Sequence, residues 1–207
     1  MKTEPERYFY AGCQVVRFRL PGHEELTTRL LYEMNAWREA FSFSHKINGR
    51  WENIYLSIDK VPSVREVVRP AREVVVEEFG QKLLALYEVP EGFPNKPFWF
   101  NLAKPGELTG VHDHARDASV SGVFHVQIPP DSGALFFRVD GEEDLLLEPV
   151  EGTVVLFPST LRHGVRENRS SKERISLAFN LFTFPLRITH NEPYGVDRLC
   201  EIGLQTL

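Results

Sequence analysis

The carboxyl-terminal half of this chain is a succession of short stretches rich in β-branched and aromatic residues, and this pattern restricts the fold most strongly. Such stretches are typical of β-strands, and they cover residues 98–102, 120–128, 134–139, 153–157 and 174–184. Clusters of turn-forming residues separate them at 129–133, 140–141 and 168–171. Many short strands joined by tight turns predict a β-sandwich or barrel and favour a jelly roll.

The last of these stretches has two chemically different faces, because alternate side chains of a strand point to opposite sides. One face is apolar and consists of Ile175, Leu177, Phe179 and Leu181. The other face is polar or small and consists of Arg174, Ser176, Ala178 and Asn180. We expect the apolar face to pack under helices and the polar face to line a pocket for a small charged ligand.

The amino-terminal half predicts two helices. Apolar residues recur at helical spacing from Leu26 to Phe41. A second helix is predicted from Ser63, because Glu66 completes a capping-box pattern, and Pro70 is expected to kink or split it. We therefore expect a single domain over residues 1–207, mainly β with amino-terminal helices. Residues 1–97 would form a helical support and pocket lid, 98–190 the jelly-roll core and 191–207 a tail.

Three histidines suggest a metal site. His112 and His114 are two residues apart, so both imidazoles would project from one face of an extended strand. His163, from a distant strand, could complete a face of three nitrogen ligands. Arg174 follows His163 by 11 residues, and a guanidinium group there could hold an anion beside the metal.

Composition excludes several classes of partner. The chain has 207 residues, 42% of them hydrophobic, and a net charge of −5 without a long basic run. Nucleic acid and anionic membrane surfaces are therefore not expected as partners, while a homodimer is compatible with the sequence. No signal peptide or membrane span is apparent, so we expect a soluble cytoplasmic protein. Cys13 and Cys200 are interpreted as reduced thiols.

Six ordered segments resemble the Fe(II)/2-oxoglutarate-dependent oxygenases, specifically a subfamily of small bacterial members. They lie at residues 99–101, 112–114, 121–124, 148–159, 161–165 and 173–180. The resemblance implies a double-stranded β-helix, the jelly-roll or cupin-like barrel that carries iron in its mouth.

The resemblance also implies roles for individual residues. In these enzymes a His-x-Asp/Glu pair and a distant His bind the iron, and His112 and His163 occupy two of these positions. His114 stands where the carboxylate is expected, and we favour it as the third ligand over Asp113 or Asp117. In these enzymes an arginine beyond the distant His pairs with the C5 carboxylate of 2-oxoglutarate. The resemblance therefore implies that Arg174, Ser176 and Asn101 bind the cosubstrate.

The implied activity is a non-heme Fe(II)/2-oxoglutarate-dependent dioxygenase. Such an enzyme would use Fe(II), 2-oxoglutarate and O₂, release succinate, and most simply hydroxylate a small-molecule or peptidyl substrate. Candidate residues for the substrate pocket are His125, Asn180, Arg50 and Trp51.

Other functions fit part of the same pattern. Three histidines could hold zinc in a hydrolase or hydratase, which would not need Arg174. A cupin-type dioxygenase would not use 2-oxoglutarate, and a jelly-roll binding module would bind no metal. Arg174 could also be a structural ion-pair partner of Glu173 or Asp140.

Overall fold

The computed structural model describes residues 4–44, 46–47, 50–51, 53–93, 95–114 and 118–186, with residues 46–47 and 50–51 described by their backbone alone. Cys200, His190 and the predicted tail at 191–207 lie outside the described residues. None of the described helices is long and apolar enough to cross a membrane.

Two α-helices lie in the amino-terminal half, and strands occupy most of the remainder. The helices are α1 (His23–Ala36) and α2 (Val64–Phe79), with a short 3₁₀ helix at Arg38–Ala40. The amino-terminal strands are β1 (Glu6–Tyr10), β2 (Cys13–Arg19), β3 (Ser42–Phe43), β4 (Lys46–Ile47), β5 (Arg50–Trp51), β6 (Ile54–Tyr55) and β7 (Leu84–Ala85). The remaining strands are β8 (Phe98–Ala103), β9 (Thr109–His112), β10 (Val120–Gln127), β11 (Leu135–Phe137), β12 (Leu145–Leu147), β13 (Thr153–Pro158), β14 (His163–Val165) and β15 (Arg174–Phe182).

Two antiparallel sheets enclose one of the apolar cores. The larger sheet has nine strands, eight of them in the order β1-β2-β13-β10-β15-β8-β6-β3, and β7 pairs with β15. The smaller sheet has the order β12-β11-β14-β9. Side chains from both sheets meet in this core, among them Val155 and Phe157 of β13 and Leu135 and Phe137 of β11. The predicted sandwich of short strands is therefore confirmed.

The outer face of the larger sheet packs against both helices. The apolar residues of β15 share one core with Leu30 of α1 and Val68 of α2, as predicted from the alternation along this strand. The opposite face of β15, which begins with Arg174, points between the two sheets. The strand is buried along its whole length.

Three details of the amino-terminal half differ from the predictions. Helix α1 ends at Ala36, so Phe41 lies beyond it. The predicted capping box at Ser63 is absent; instead the Ser63 hydroxyl donates to the Glu33 carboxylate at 2.7 Å. Pro70 does not split α2, because buried valines on both sides of it hold the helix against the core.

The amino terminus also contributes strands that the sequence did not predict. β1 and β2 form a hairpin, and β2 pairs with β13 at the edge of the larger sheet. The segment predicted as a helical support and pocket lid, residues 1–97, therefore also contains a β-hairpin of the larger sheet. The hairpin extends the sheet because Val15 and Val16 are both fully buried, one against each core.

A glycine allows the two central strands to pack closely. A Cβ atom on Gly122 of β10 would lie 2.2 Å from Cζ of Phe179 on β15. We expect Gly122→Ala to lower the free energy of unfolding by about 1–3 kcal/mol, measured by urea denaturation. Gly110→Ala is the matched control, because nothing lies within 4 Å of the added carbon. Equal stability of the two variants would contradict this explanation.

Candidate active site

Three histidines lie together at one end of the smaller sheet. His112 ends β9, His163 begins β14, and the two residues are paired directly across the strands. His114 follows β9 by two residues, and one ring nitrogen from each of the three lies within 4.8 Å of the others. The structure thus brings together the three residues that the sequence analysis proposed as ligands.

Backbone carbonyl groups orient two of the three rings. Nδ1 of His112 lies 2.9 Å from the carbonyl oxygen of Gly110, and Nδ1 of His163 lies 3.0 Å from that of Leu161. A carbonyl oxygen only accepts hydrogen bonds, so Nδ1 must carry the proton in each ring. This bond selects the neutral tautomer in which Nε2 keeps its lone pair, which is the form that binds a metal ion.

Burial keeps the imidazoles of His114 and His163 neutral. It is the main cause that lowers the pKa of His114 to about 4, and His112 lowers it further. Burial likewise lowers the pKa of His163 to about 3, again with a contribution from His112. At neutral pH both rings are uncharged and have one nitrogen without a proton, so no proton has to leave before a metal ion binds.

The same burial makes stability depend on pH. His114, His163 and the buried His125 have pKa values of about 4, 3 and 3, against an ordinary 6.5. Below about pH 6.5 the unfolded chain binds protons that the folded chain does not, so folding weakens as the pH falls. We expect the metal-free protein to lose about 1.4 kcal/mol per pH unit for each of these histidines between pH 6 and 5, measured by urea denaturation.

His125→Gln provides the internal control for this pH dependence. Removing one of three titrating groups should reduce the slope by about one third. A free energy of unfolding that stays constant between pH 7 and pH 5 would show that these histidines titrate normally in the folded protein.

The histidine cluster runs from the protein interior to the surface. His163 is buried against Phe157, with ring centroids 4.6 Å apart, whereas His112 is exposed. A metal ion bound here would be reached from the His112 side. Three imidazole nitrogens suit Fe(II), Zn(II) and other divalent transition metals, and they bring no negative charge.

Of the two candidate aspartates, Asp113 does not take a place in this cluster. Asp113 is exposed and is not one of the grouped ligands, as expected for a residue pointing to the other face. Asp117 lies outside the described residues.

Arg174 is buried between the sheets, and its guanidinium orientation is set by the backbone. Nη1 donates to the carbonyl oxygens of Ser132 and Arg166, the latter at 3.1 Å. The two acidic residues proposed as structural partners contact other arginines. The Glu173 carboxylate lies 4.0 Å from Arg38, and the Asp140 carboxylate lies 3.1 Å from Arg162.

Strand pairing places the other predicted residues between Arg174 and the histidines. Ser176 of β15 is opposite Asn101 of β8, and Ala178 is opposite Trp99. Residues that share a face of a strand follow at intervals of about 7 Å. The Trp99 ring contacts His114 at a centroid distance of 5.4 Å, so the row of Ser176 and Asn101 lies along the sheet between the row of Arg174 and the row of Trp99.

The predicted pocket residues have different environments. Nδ1 of the buried His125 lies 3.1 Å from the Thr153 hydroxyl, which itself donates to the Val150 carbonyl. Burial and the nearby Arg174 lower the pKa of His125 to about 3. Asn180 is also buried, and its amide oxygen accepts from the Ser121 hydroxyl at 2.8 Å.

The side chains of Arg50 and Trp51 lie outside the described residues. A cavity of about 480 Å³ has a lining that includes Tyr55, Tyr87 and Phe98, none of which was predicted from the sequence. Phe98 belongs to the core between the larger sheet and the helices, whereas the neighbouring Trp99 side chain lies on the opposite face of β8, against His114.

One family model matches part of the chain in sequence. A family model described as "Putative 2OG-Fe(II) oxygenase" matches residues 138–180. This segment contains His163, Arg174 and Ser176. A search of curated protein sequences finds no match.

Solved structures with the same fold cover most of the chain. A prolyl-4-hydroxylase from Pseudomonas putida is 18% identical, with 81% of this chain and 91% of that chain covered and a TM-score of 0.56. A prolyl hydroxylase from Trichoplax adhaerens, solved with a hypoxia inducible factor peptide fragment, is 10% identical, with 81% and 83% covered and a TM-score of 0.62. The non-heme α-ketoglutarate-dependent epimerase SnoN from nogalamycin biosynthesis is 10% identical, with 89% and 90% covered and a TM-score of 0.64.

These findings confirm the predicted fold class, a double-stranded β-helix with amino-terminal helices. They also confirm the resemblance to the 2OG-Fe(II) oxygenases, in sequence over residues 138–180 and in fold over most of the chain. An oxidoreductase that uses Fe(II), 2-oxoglutarate and O₂ is what this resemblance implies, and the cluster of three histidines fits iron.

Proposed function

From the similarity to the 2OG-Fe(II) oxygenases, we propose that this protein is an Fe(II)/2-oxoglutarate-dependent dioxygenase that oxidises a small-molecule substrate. One observation carries the proposal: three clustered imidazoles share the interior of the fold with a buried arginine. A metal site alone would suit many reactions. Binding of 2-oxoglutarate also requires a cation for its distal carboxylate, and the buried Arg174 guanidinium would supply it.

His112, His114 and His163 would hold the iron. Bound Fe(II), with 2-oxoglutarate and O₂, supplies an oxidant strong enough for an unactivated C–H bond and yields succinate and CO₂. The Gly110 and Leu161 carbonyls fix the tautomers of two ligands, so their Nε2 atoms are ready for the metal. The absence of a carboxylate among these ligands would leave the metal more electron-poor than in the usual site.

Arg174 would bind the C5 carboxylate of 2-oxoglutarate. Its guanidinium is fixed by two backbone carbonyls, so little side-chain freedom is lost when the anion binds. Ser176 and Asn101 lie one row closer to the histidines and would line the path of the carbon chain. Burial of Arg174 removes water that would otherwise weaken its attraction for the carboxylate.

The substrate would bind on the exposed side of the cluster, near His112. Hydroxylation is the simplest outcome. His125 and Asn180 would form walls of the interior, with Nδ1 of His125 beside the Thr153 hydroxyl and the amide oxygen of Asn180 accepting from Ser121.

A zinc hydrolase is the second candidate, and the composition of the ligand set favours it. Three neutral histidines are a set that zinc accepts with a reactive water as fourth ligand. This function makes no use of Arg174, so the two candidates differ in their need for that residue.

The proposal is tested by incubating Fe(II)-loaded protein with 2-oxoglutarate under air and measuring succinate by NMR. We expect slow succinate formation that needs Fe(II), 2-oxoglutarate and O₂ together, even before the natural substrate is supplied. Succinate formation no faster than in a protein-free control containing the same reagents would contradict the proposal. Hydrolysis of test esters with zinc but no succinate with iron would favour the second candidate.

A further inference from the structure

The three histidines are not held in the same way. His112 and His163 each direct Nδ1 at the carbonyl of the residue two positions earlier in the chain. For His114 the described part of the chain offers no such bond to the ring. Its backbone N–H donates to the Ser159 carbonyl at 2.9 Å, but this bond does not set the orientation of the imidazole.

One aromatic side chain outside the candidate ligand set contacts this ring. The Trp99 and His114 rings have centroids 5.4 Å apart at an angle of 58°. The other ring contacts of His114 in the described part of the chain are with His112 and His163, at 5.0 Å and 5.5 Å. Those two are themselves candidate ligands, so Trp99 is the contact that could orient His114 before a metal arrives.

The surroundings of Trp99 keep its indole in place. Trp99 is only 6% exposed and lies on β8, a central strand of the larger sheet. The residue opposite it on β15 is Ala178, whose small side chain leaves space for the indole. A rigid strand therefore presents a large flat surface to the His114 ring.

We infer that Trp99 is a positioning residue: by packing on the His114 imidazole it sets the orientation of this ring, as the Gly110 and Leu161 carbonyls set the orientations of His112 and His163. The inference rests on the proposed function, because it assumes that His114 binds the metal. Without Trp99 the ring would sample several orientations, and ordering it would reduce the free energy gained on metal binding.

Metal affinity is the direct test. We would titrate the metal-free protein with Co(II) and Zn(II) alone, using a competing chromophoric chelator. Trp99→Ala should weaken binding by about tenfold or more, and Trp99→Phe, which keeps an aromatic face, by about threefold or less. Thermal unfolding of the metal-free variants checks that each one folds.

Phe157→Leu is the matched control. The Phe157 ring contacts His163 at a centroid distance of 4.6 Å, closer than Trp99 is to His114. Because the Leu161 carbonyl already orients His163, this variant should change metal affinity by about threefold or less. A loss as large as that of Trp99→Ala would mean that general packing matters, and would overturn the inference.

A second measurement needs no metal. Nitrogen-15 NMR of the metal-free protein should show altered or broadened His114 ring signals in Trp99→Ala, with those of His112 and His163 unchanged. Unchanged His114 signals and wild-type metal affinity in Trp99→Ala would overturn the inference while the metal site stands. A wild-type protein that binds neither Co(II) nor Zn(II) would overturn the proposed function and the inference together.

Discussion

Arg174→Ala should weaken 2-oxoglutarate binding by about 100-fold or more, because a buried, charge-assisted carboxylate contact is lost. Arg174 is 3% exposed, so the carboxylate would lose a cation that water replaces poorly. Affinity for Fe(II) alone should change little, since Arg174 is not among the grouped ligands. Anaerobic calorimetric titration of the Fe(II) protein with 2-oxoglutarate measures the effect.

Two further variants separate charge from folding. Arg174 also donates to the Ser132 and Arg166 carbonyls. Its removal deletes both bonds, so circular dichroism accompanies the titration to check folding. Arg174→Lys keeps the charge but loses the planar fork, and we expect an intermediate affinity. Arg38→Ala removes an exposed arginine and should bind like wild type. Wild-type affinity in a folded Arg174→Ala protein would contradict the assigned role.

His163→Ala should abolish measurable metal binding, with affinity lower by about 100-fold or more, because one of three ligands is removed. His112→Ala should have the same effect, since both rings present Nε2 to the shared site. Competition titration with Co(II) measures the affinities. His23→Ala removes a histidine outside the cluster and should leave binding unchanged.

His114 allows a sharper comparison. His114→Ala should weaken metal binding, whereas His114→Asp creates the His-x-Asp pair of the usual iron site and should retain it. The aspartate variant would also carry one more negative charge beside the metal. Wild-type affinity in His114→Ala would show that another residue is the third ligand, and Asp113 and Asp117 would then be the candidates.

The strand pattern predicted the core of the fold because local chemistry determines it. Alternation along β15 correctly separated the side chains that pack under the helices from those that face the interior. The histidine cluster was also predictable, because His112 and His114 are two residues apart and the family resemblance adds His163 to them. In both cases the residue type itself, apolar or metal-binding, indicated the role of the side chain.

Other features depended on contacts that sequence does not encode locally. The pairing of β9 with β14, which puts His112 opposite His163, is a register between distant strands of three or four residues each. The amino-terminal hairpin joins the larger sheet through partners more than 130 residues away. Pro70 argued against a continuous α2, but burial of the surrounding valines outweighs the lost hydrogen bond.

Orientation of the site residues was the least predictable part. Backbone carbonyls of Gly110 and Leu161 hold two imidazoles, and backbone oxygens hold Arg174. Since every residue has a carbonyl group, no residue type marks these partners. Trp99 was part of a matched segment, but nothing in the sequence linked it to His114.

Anaerobic addition of Fe(II) and then 2-oxoglutarate, followed by visible absorption, tests the central claim most directly. Chelation of 2-oxoglutarate to Fe(II) held by the three histidines should produce a weak metal-to-ligand charge-transfer band. The band should saturate at one equivalent of each, and should require about 100-fold more 2-oxoglutarate in Arg174→Ala. No band with the wild-type protein, or a band that is indifferent to the loss of Arg174, would contradict the account.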